Sequence, residues 1–564
     1  MQKAFLLLCV ASLALAGCGS MGIGPDEAPT PTPQAAQAES FGDYLSARLA
    51  ASDHNMADAA RLYAASLAAD PDNADILSRA FLYAAASGDV ETAAKLAARV
   101  IQKEPDNRAA RLALSVAAIE RGDYAKARAD LSQSAKGAFT ELTLVLLDAW
   151  AAAGAGDLKS ADADLAQVVT QGGTEALTQF HRALIHDLAG DNTGAEQAYI
   201  GAVAAGGTSP RIAEAFGRFL ERTGRKDDAR MYYTKLQAEP ALQPMAAQGL
   251  ARLAASEKPD RLVNSAAQGA AEALFGIAAS LSDQNSADVA VFYLRLALFL
   301  EPDMDLAKIV LADRFEALDK YEDAIVTYKT LDQKSVYRAA AAVQIALDET
   351  RLDKNDEAIA ELNAMTQQSP KDITVWTALG DAYRNESKFT EAADAYNHAV
   401  ALLGTDSKTS WPLYYARAIA EERSHRWDAA ESDLKHALQL SPDQPQVLNY
   451  LGYSWVDQGR NLPQAVAMLE RARSLSPFDG YIVDSVGWAY YRLGRYDDAV
   501  KTLEAAILLV PGDATVNEHL GDAYWRTGRK LDARFQWSHA LAFNPDETQK
   551  VELEKKLQSG NDVK

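Results

Sequence analysis

Cysteine is almost absent from this chain of 564 residues, which has only 2, Cys9 and Cys18. Cys9 lies within an apolar N-terminal run that is expected to be removed, so no disulfide can form within one mature molecule. Histidine is also scarce, with 8 residues in all. His181 and His186 are five residues apart, whereas two metal ligands on one helical face stand three or four apart. The sequence therefore predicts neither a disulfide framework nor a metal site.

Recognisable catalytic motifs are also missing. The stretch from Gly154 to Ser160 superficially resembles a phosphate-binding loop, but its second glycine does not immediately precede the lysine. No Ser-His-acid set lies in a strand-turn-helix context that would suit a hydrolase. We therefore expect a protein that is not an enzyme and that uses no cofactor and no small-molecule substrate.

Positive charge is in deficit, with 56 Lys and Arg against 78 Asp and Glu and a formal net charge of -22. Such a surface does not favour nucleic acid or an anionic membrane surface as the main partner. The acidity can serve the solubility of a large exposed surface or the recognition of a basic partner. Composition leaves both explanations open.

A period of 34 residues is the strongest positive signal in the chain. Pro477, Pro511 and Pro545 follow it, and each closes a similar unit. In the central unit Gly487 lets two helices approach closely, Gly494 supplies a turn, and the following proline stops the second helix. The same spacing recurs in the next unit as Gly521, Tyr524, Gly528, Ala533, Trp537, Ala540 and Pro545. This pattern resembles the tetratricopeptide repeat, a helix-turn-helix unit that stacks into a solenoid.

The period continues more faintly through the first half of the chain. Gly122, Gly156, Gly190 and Gly224 recur every 34 residues, and each is followed five residues later by an alanine. The register is interrupted at Glu257–Asp260. The resemblance therefore implies an all-α fold, a tetratricopeptide-repeat superhelical solenoid in two arrays.

The predicted division of the chain follows from these signals. We expect about six degenerate repeats in one array and about eight in the other, with the best matches at 371–403 and 443–545, and a charged helix that caps the last repeat. The predicted segments are a signal peptide at 1–17, a lipidated cysteine and flexible linker at 18–39, arrays at 40–256 and 257–546, and a capping helix with a tail at 547–564.

The N-terminus has its own pattern. A short apolar run is followed by Leu15-Ala16-Gly17-Cys18, which resembles the lipobox of bacterial lipoproteins, where the cysteine becomes the lipidated first residue. The residues after Cys18 are rich in Gly, Pro, Ala and Thr and are expected to form a disordered tether. In lipoproteins of enteric bacteria, an Asp directly after the lipidated cysteine tends to retain the protein in the inner membrane. Residue 19 is Gly, so the resemblance implies an outer-membrane protein that faces the periplasm. An uncut N-terminal anchor is the alternative.

The resemblance also implies a binding groove, because the first helix of each tetratricopeptide pair lines the concave face. Laid on this sequence, its groove positions give Tyr415, Asn449, Tyr453, Tyr481, Asp484, Trp488, Tyr491, Arg492, Glu518, Asp522, Trp525 and Arg526. Tyr, Trp and Arg dominate binding energy at protein interfaces, so the set is typical of a protein-binding surface. The alternative is that some of them, Trp488 and Trp525 above all, fill the seam between adjacent repeats.

Two segments carry a narrower resemblance. Leu448–Ser454 and Asp484–Tyr496 are similar to the C-terminal repeats of outer-membrane lipoproteins that partner a carboxy-terminal processing protease. That resemblance implies an adaptor that brings a periplasmic protease to peptidoglycan hydrolases. The alternative is an assembly factor for a secretion, pilus or exopolysaccharide apparatus.

Overall fold

The computed structural model describes residues 33–168, 174–206, 209–239, 242–281, 283, 286–332, 335–404 and 406–559. These residues form 30 α-helices and no strand, which confirms the expected all-α class. The predicted signal peptide, Cys18 and most of the predicted linker lie outside the described residues. The last part of that linker is different from the expectation, because α1 begins at Pro33 and residues 33–39 are helical. No helix in the described ranges combines the length and apolar character that a bilayer span requires.

Two compact units divide the chain. The first comprises the described residues up to Ile277 together with Arg295–Leu300, and the second comprises Ala278–Leu294 and the described residues from Glu301 onward. The helices of the first array are α1 Pro33–Ser52, α2 Met56–Ala69, α3 Ala74–Ser87, α4 Val90–Lys103, α5 Arg108–Glu120, α6 Tyr124–Ser132, α7 Ala138–Gly154, α8 Leu158–Leu165, α9 Thr174–Ala189, α10 Asn192–Gly206, α11 Pro210–Arg222, α12 Lys226–Leu236 and α13 Gln243–Ala255.

In the first unit α1 to α12 form six consecutive helix pairs, and α13 packs on both α11 and α12 as the first helix of a further pair would. Two helices follow, α14 Ala266–Ser280 and α15 Ala287–Leu300. The sequence predicts that both helices belong to the C-terminal array at 257–546. The structure divides both between the units, with α14 up to Ile277 and the last residues of α15 in the first unit.

The second unit continues with seven helix pairs, α16–α17 to α28–α29, and ends with α30 packed on α29. Its helices are α16 Asp305–Ala317, α17 Tyr321–Lys329, α18 Arg338–Arg351, α19 Asn355–Gln368, α20 Ile373–Asn385, α21 Phe389–Leu402, α22 Trp411–Arg423, α23 Trp427–Leu440, α24 Pro445–Asp457, α25 Leu462–Leu475, α26 Gly480–Arg492, α27 Tyr496–Leu509, α28 Ala514–Arg526, α29 Lys530–Ala542 and α30 Glu547–Ser559.

The steric roles read from the repeat are visible in the backbone. Gly122, Gly156, Gly190 and Gly224 have φ values of 74°, 80°, 81° and 83°, the left-handed conformation that glycine adopts at least cost. Within the pairs, a Cβ atom on Gly487 would lie 2.6 Å from Leu503 Cγ. The recurring glycines therefore fix the turns and the close approach of paired helices.

The small and large apolar residues of the repeat form the interior. In the last two pairs the core includes Ala499, Leu503, Ala533, Trp537 and Ala540, all of which are fully buried. Alanines allow neighbouring helices to approach, and a bulky residue one turn away fills the remaining space. Each pair therefore buries its apolar faces against its neighbours, as expected for a solenoid.

Candidate protein-binding groove

Three first helices of consecutive pairs, α24, α26 and α28, lie next to one another in the second unit. With the end of α22 they form a pocket of about 360 Å³. Its lining consists of Glu422, Arg423, Asn449, Tyr450, Tyr453, Ser454, Asp457, Gln458, Tyr481, Asp484, Ser485, Thr515 and His519. Four predicted groove residues, Asn449, Tyr453, Tyr481 and Asp484, are thus brought together here.

Tyrosines supply the aromatic surface of this pocket. Tyr481 is 58% exposed at the start of α26, so its ring is open to a partner. Tyr453 is half-buried, and burial raises the pKa of its hydroxyl to about 12. It is therefore a neutral phenol that can donate a hydrogen bond. Tyr450 donates to Glu422 Oε2 at 3.0 Å and packs edge-to-face on Tyr415. The predicted groove residue Tyr415 therefore lies behind the pocket lining.

A buried acid-base pair within the pocket lining joins α26 to α28. His519 Nδ1 lies 3.0 Å and 2.9 Å from the two carboxylate oxygens of Asp484, and both side chains are buried. Burial by itself would lower the pKa of His519, but the nearby Asp484 carboxylate outweighs it, and the pKa is raised. The pair therefore ties two consecutive repeats together by a charge-assisted hydrogen bond.

Trp488 lies in the contact between these two repeats. Its ring stacks on His519 with centroids 4.1 Å apart and on Tyr491 with centroids 4.8 Å apart. Its indole Nε1 is buried and has no hydrogen-bond partner among the described residues. Arg492 packs near the same ring and bonds to Asp457 Oδ1 at 3.2 Å. The structure places Trp488 between repeats and outside the pocket lining.

The remaining predicted residues lie at the C-terminal end. Glu518 and Asp522 are buried, and both accept from Lys556 Nζ, at 2.6 Å and 2.8 Å. Trp525 packs against Trp537 with ring centroids 5.4 Å apart, and the Arg526 guanidinium lies 5.1 Å from the centroid of the Tyr496 ring. These four side chains are therefore engaged with α27, α29 and α30 and are separate from the pocket.

Sequence reasoning missed several lining residues, including Arg423, Tyr450, Asp457, Thr515 and His519. They stand outside the groove positions that the family resemblance implied. A signal for His519 did exist, because it follows Asp484 by 35 residues, one period and one further residue. Stacking of repeats brings such positions side by side.

The histidines noted in the sequence have structural partners in the first unit. His181 is fully buried and its Nδ1 accepts from Trp150 Nε1 at 3.1 Å. Burial lowers the pKa of His181 to about 3, so the ring is neutral at pH 7. His186 bonds to Asp191 and Asp162. Across the described ranges, no group of three His, Cys, Asp or Glu side chains is placed to hold a metal ion.

Comparison with protein-family models identifies tetratricopeptide repeats in four segments. One tetratricopeptide repeat model matches residues 343–407, 415–480 and 487–546, and a second matches residues 84–136. These segments include part of the first array and most of the pocket-lining residues, but not Tyr481, Asp484 and Ser485. The chain therefore contains tetratricopeptide repeats in both units.

Known relatives are similar over limited segments. The TPR repeat-containing protein PA4667 of Pseudomonas aeruginosa is 29% identical over 145 residues, which is 26% of this chain and 24% of that protein. The ER membrane protein complex subunit 2-A of Xenopus laevis is 36% identical over 81 residues, 14% of this chain and 27% of that protein. The matches thus span about a quarter of the length of these relatives.

Two solved structures align with this chain at low sequence identity. The APC/C hetero-tetramer Cut9-Hcn1 aligns with a TM-score of 0.38 and 18% identity over 86% of this chain and 96% of that chain. A tetratricopeptide repeat protein from Parabacteroides merdae aligns with a TM-score of 0.39 and 15% identity over 45% of this chain and 99% of that chain.

Proposed function

We propose that this protein is a non-enzymatic scaffold that binds other proteins through the groove of its second unit. The observation that carries the proposal is the pocket of about 360 Å³ in which Asn449, Tyr453, Tyr481 and Asp484 converge. Exposed tyrosine beside hydrogen-bonding side chains is typical of protein interfaces, because the ring buries a large rigid area and its hydroxyl stays solvated or bonded. Tetratricopeptide repeats in both units support the same role.

The finer role that we propose is an adaptor that brings an envelope carboxy-terminal processing protease to cell-wall hydrolase substrates. The support is positional. The two segments that resemble the protease-partner lipoproteins, Leu448–Ser454 and Asp484–Tyr496, supply six of the pocket-lining residues: Asn449, Tyr450, Tyr453, Ser454, Asp484 and Ser485. Binding both proteins on one scaffold would raise the effective concentration of substrate at the protease.

We place the protein on the periplasmic face of the outer membrane, attached through a lipid on Cys18. The support is the Leu15–Cys18 lipobox pattern and the glycine that follows it. A membrane-held scaffold with a net charge of -22 would bind partners by its groove and not by attraction to anionic lipid. Labelling of cells with a radioactive fatty acid tests the anchor, with Cys18→Ser as the unlabelled control.

The test of the groove is capture of partners by the full-length protein from crosslinked cell envelopes. Tyr481→Ala removes the exposed pocket ring, and Phe535→Ala is a matched control because its side chain is also 58% exposed but lies on α29. We expect the wild type and Phe535→Ala to recover a periplasmic protease and cell-wall hydrolases, and Tyr481→Ala to lose most of both. Equal recovery by all three proteins would contradict the groove assignment.

The identities of the captured proteins test the adaptor role separately. Components of a secretion, pilus or polysaccharide-export apparatus would instead support the assembly-factor alternative. A second measurement follows the half-lives of the captured hydrolases after deletion of the gene. An adaptor requires longer half-lives in the deletion strain, whereas an assembly factor leaves them unchanged.

A further inference from the structure

Helix α14 is buried around most of its circumference. Within the part that belongs to the first unit, Ala270, Ala271, Leu274 and Ile277 are buried, and Glu272 is only 3% exposed. A helix on the surface of a solenoid would show one apolar face and one solvated face. The burial of α14 therefore requires neighbours on several sides.

Those neighbours are first helices of three successive pairs. A Cβ atom on Gly269 would lie 2.3 Å from the Trp150 ring of α7, so the α14 backbone rests directly on that indole. A Cβ atom on Gly276 would lie 3.4 Å from Leu177 of α9. Glu272 reaches α11. Since the first helices of a tetratricopeptide array line its concave face, α14 lies in the concave groove of the first unit.

One ion pair fixes α14 in this groove. Arg211 of α11 donates two hydrogen bonds to the Glu272 carboxylate, with Nε 2.9 Å from Oε1 and Nη2 2.5 Å from Oε2. The same arginine bonds Glu214 Oε2 at 2.8 Å, which holds the guanidinium in place. A carboxylate as buried as that of Glu272 is stable only with such a partner. The groove thus contains a receptor for one carboxylate on an otherwise apolar helix.

We propose that the concave groove of the first unit is a helix-binding site and that α14 is its ligand, held in cis. The ligand class is a helix rich in alanine and glycine with one carboxylate opposite Arg211. The glycine at position 269 is required because any side chain there would meet the Trp150 ring. While α14 occupies this site, external partners are left to the groove of the second unit, so the inference goes beyond the function proposed above.

The first test measures whether α14 is held in full-length protein. Hydrogen exchange of α14 amides should be slow in the wild type and at least about tenfold faster in Gly269→Leu, whose side chain collides with Trp150. Gly276→Ala is the matched control, because its new methyl group meets Leu177 at an ordinary contact distance. Rapid exchange of α14 in the wild type would overturn the proposal.

The second test measures binding in trans. A fluorescent peptide of residues 264–280 should bind full-length Gly269→Leu, whose own α14 is expelled, and should show no binding to the wild type or to Gly276→Ala. Addition of Arg211→Ala to the Gly269→Leu variant, or Glu272→Gln in the peptide, should weaken this binding at least about tenfold. Equal affinity without the arginine, or no binding to Gly269→Leu, would refute the site.

A third variant keeps the proposal testable if Gly269→Leu fails to fold. Glu272→Gln changes no volume and removes only the charge opposite Arg211. Exchange of α14 amides in this full-length variant should accelerate at least about tenfold while α1–α6 keep their wild-type exchange. Unchanged exchange of α14 would show that the ion pair does not hold the helix and would overturn the proposed ligand class.

Discussion

Lys556 of α30 offers a direct test of how the C-terminal helix is held on the last repeat. Its ammonium is buried between Glu518 and Asp522 of α28, 2.6 Å and 2.8 Å away. Burial by itself would lower the pKa of Lys556, but the two carboxylates outweigh it and raise the pKa. The ammonium therefore stays charged throughout neutral pH, and its stabilising contribution is lost as the pH rises through that raised pKa.

Lys556→Met keeps the apolar stem and leaves two buried carboxylates without their cation. Removing one partner of a buried ion pair costs about 3–5 kcal/mol. Protonation of Asp522, whose pKa burial already raises in the wild type, limits the loss. We therefore expect Lys556→Met to lower the free energy of opening α30 by about 3 kcal/mol at pH 7, which corresponds to an approximately hundredfold larger opening equilibrium constant.

Hydrogen exchange of the full-length protein measures this loss locally, since each repeat contacts only its neighbours. Lys555→Met is the matched control, because Lys555 is the exposed adjacent residue on the same helix. The loss of α30 stability in Lys556→Met relative to the wild type should be smaller at pH 5, because the unpaired carboxylates of the variant bind protons in the folded state. The reasoning would be refuted if α30 exchanged equally fast in Lys556→Met and Lys555→Met, or if the loss of stability in Lys556→Met did not change with pH.

Three further predictions concern the second unit and α1. Gly487→Ala should destabilise the second unit by about 1–3 kcal/mol in urea unfolding, because its methyl group would overlap the leucine of the paired helix, whereas Gly42→Ala, with open space around it, should not. The stability that His519 contributes should be complete below its unfolded pKa of about 6.5 and decline as the pH rises through its raised folded value, a slope that His519→Gln should lack in melting experiments. Trp488→Ala should lower the free energy of unfolding by about 2 kcal/mol or more, because the stacking between repeats is lost. Tyr481→Ala should change stability by less than about 0.5 kcal/mol and impair partner capture, so similar melting of these two variants would contradict the assignment of seam and pocket.

The repeat itself was predictable because its constraints are local. Gly122 and its equivalents mark turns, and Gly487 marks a close approach, so each position depends only on its own pair. The groove was predictable in part. Tyr481 and Trp488 were both predicted as groove residues of α26. Trp488 differs in the structure because its ring stacks on His519 of the next repeat, whereas the ring of Tyr481 is exposed. A residue-by-residue reading of one helix cannot supply that neighbour.

Helix α14 shows the same limit over a longer distance. Its alanines and glycines suit a repeat position as well as a groove, so the sequence placed it in the C-terminal array. The contacts that decide its location come from Trp150 and Arg211, which precede it by more than fifty residues. Small residues predict that a helix is closely packed, but only the tertiary structure shows against which partner.

The chemistry of the pocket also bears on the two explanations of the acidic composition. Three carboxylates line the pocket, and each has a partner within the second unit: Glu422 with Tyr450, Asp457 with Arg492, and Asp484 with His519. A basic partner would have to compete with these contacts. Recognition should therefore rest on the exposed tyrosine surface, and the negative charge should serve mainly solubility.

A salt titration of partner binding distinguishes the two explanations. Charges separated in water by more than about 8–10 Å are largely screened at 0.1–0.15 M salt, so recognition of a basic partner by the acidic surface would weaken steeply as salt rises. Binding through tyrosine contacts in a partly buried pocket should change less than about threefold between 50 and 500 mM NaCl, because apolar burial is not screened. The measurement uses the purified partner recovered by capture, with Tyr481→Ala as the variant that loses the apolar contribution. A tenfold or larger loss of wild-type affinity across this range would favour charge as the main determinant and contradict the tyrosine-based assignment.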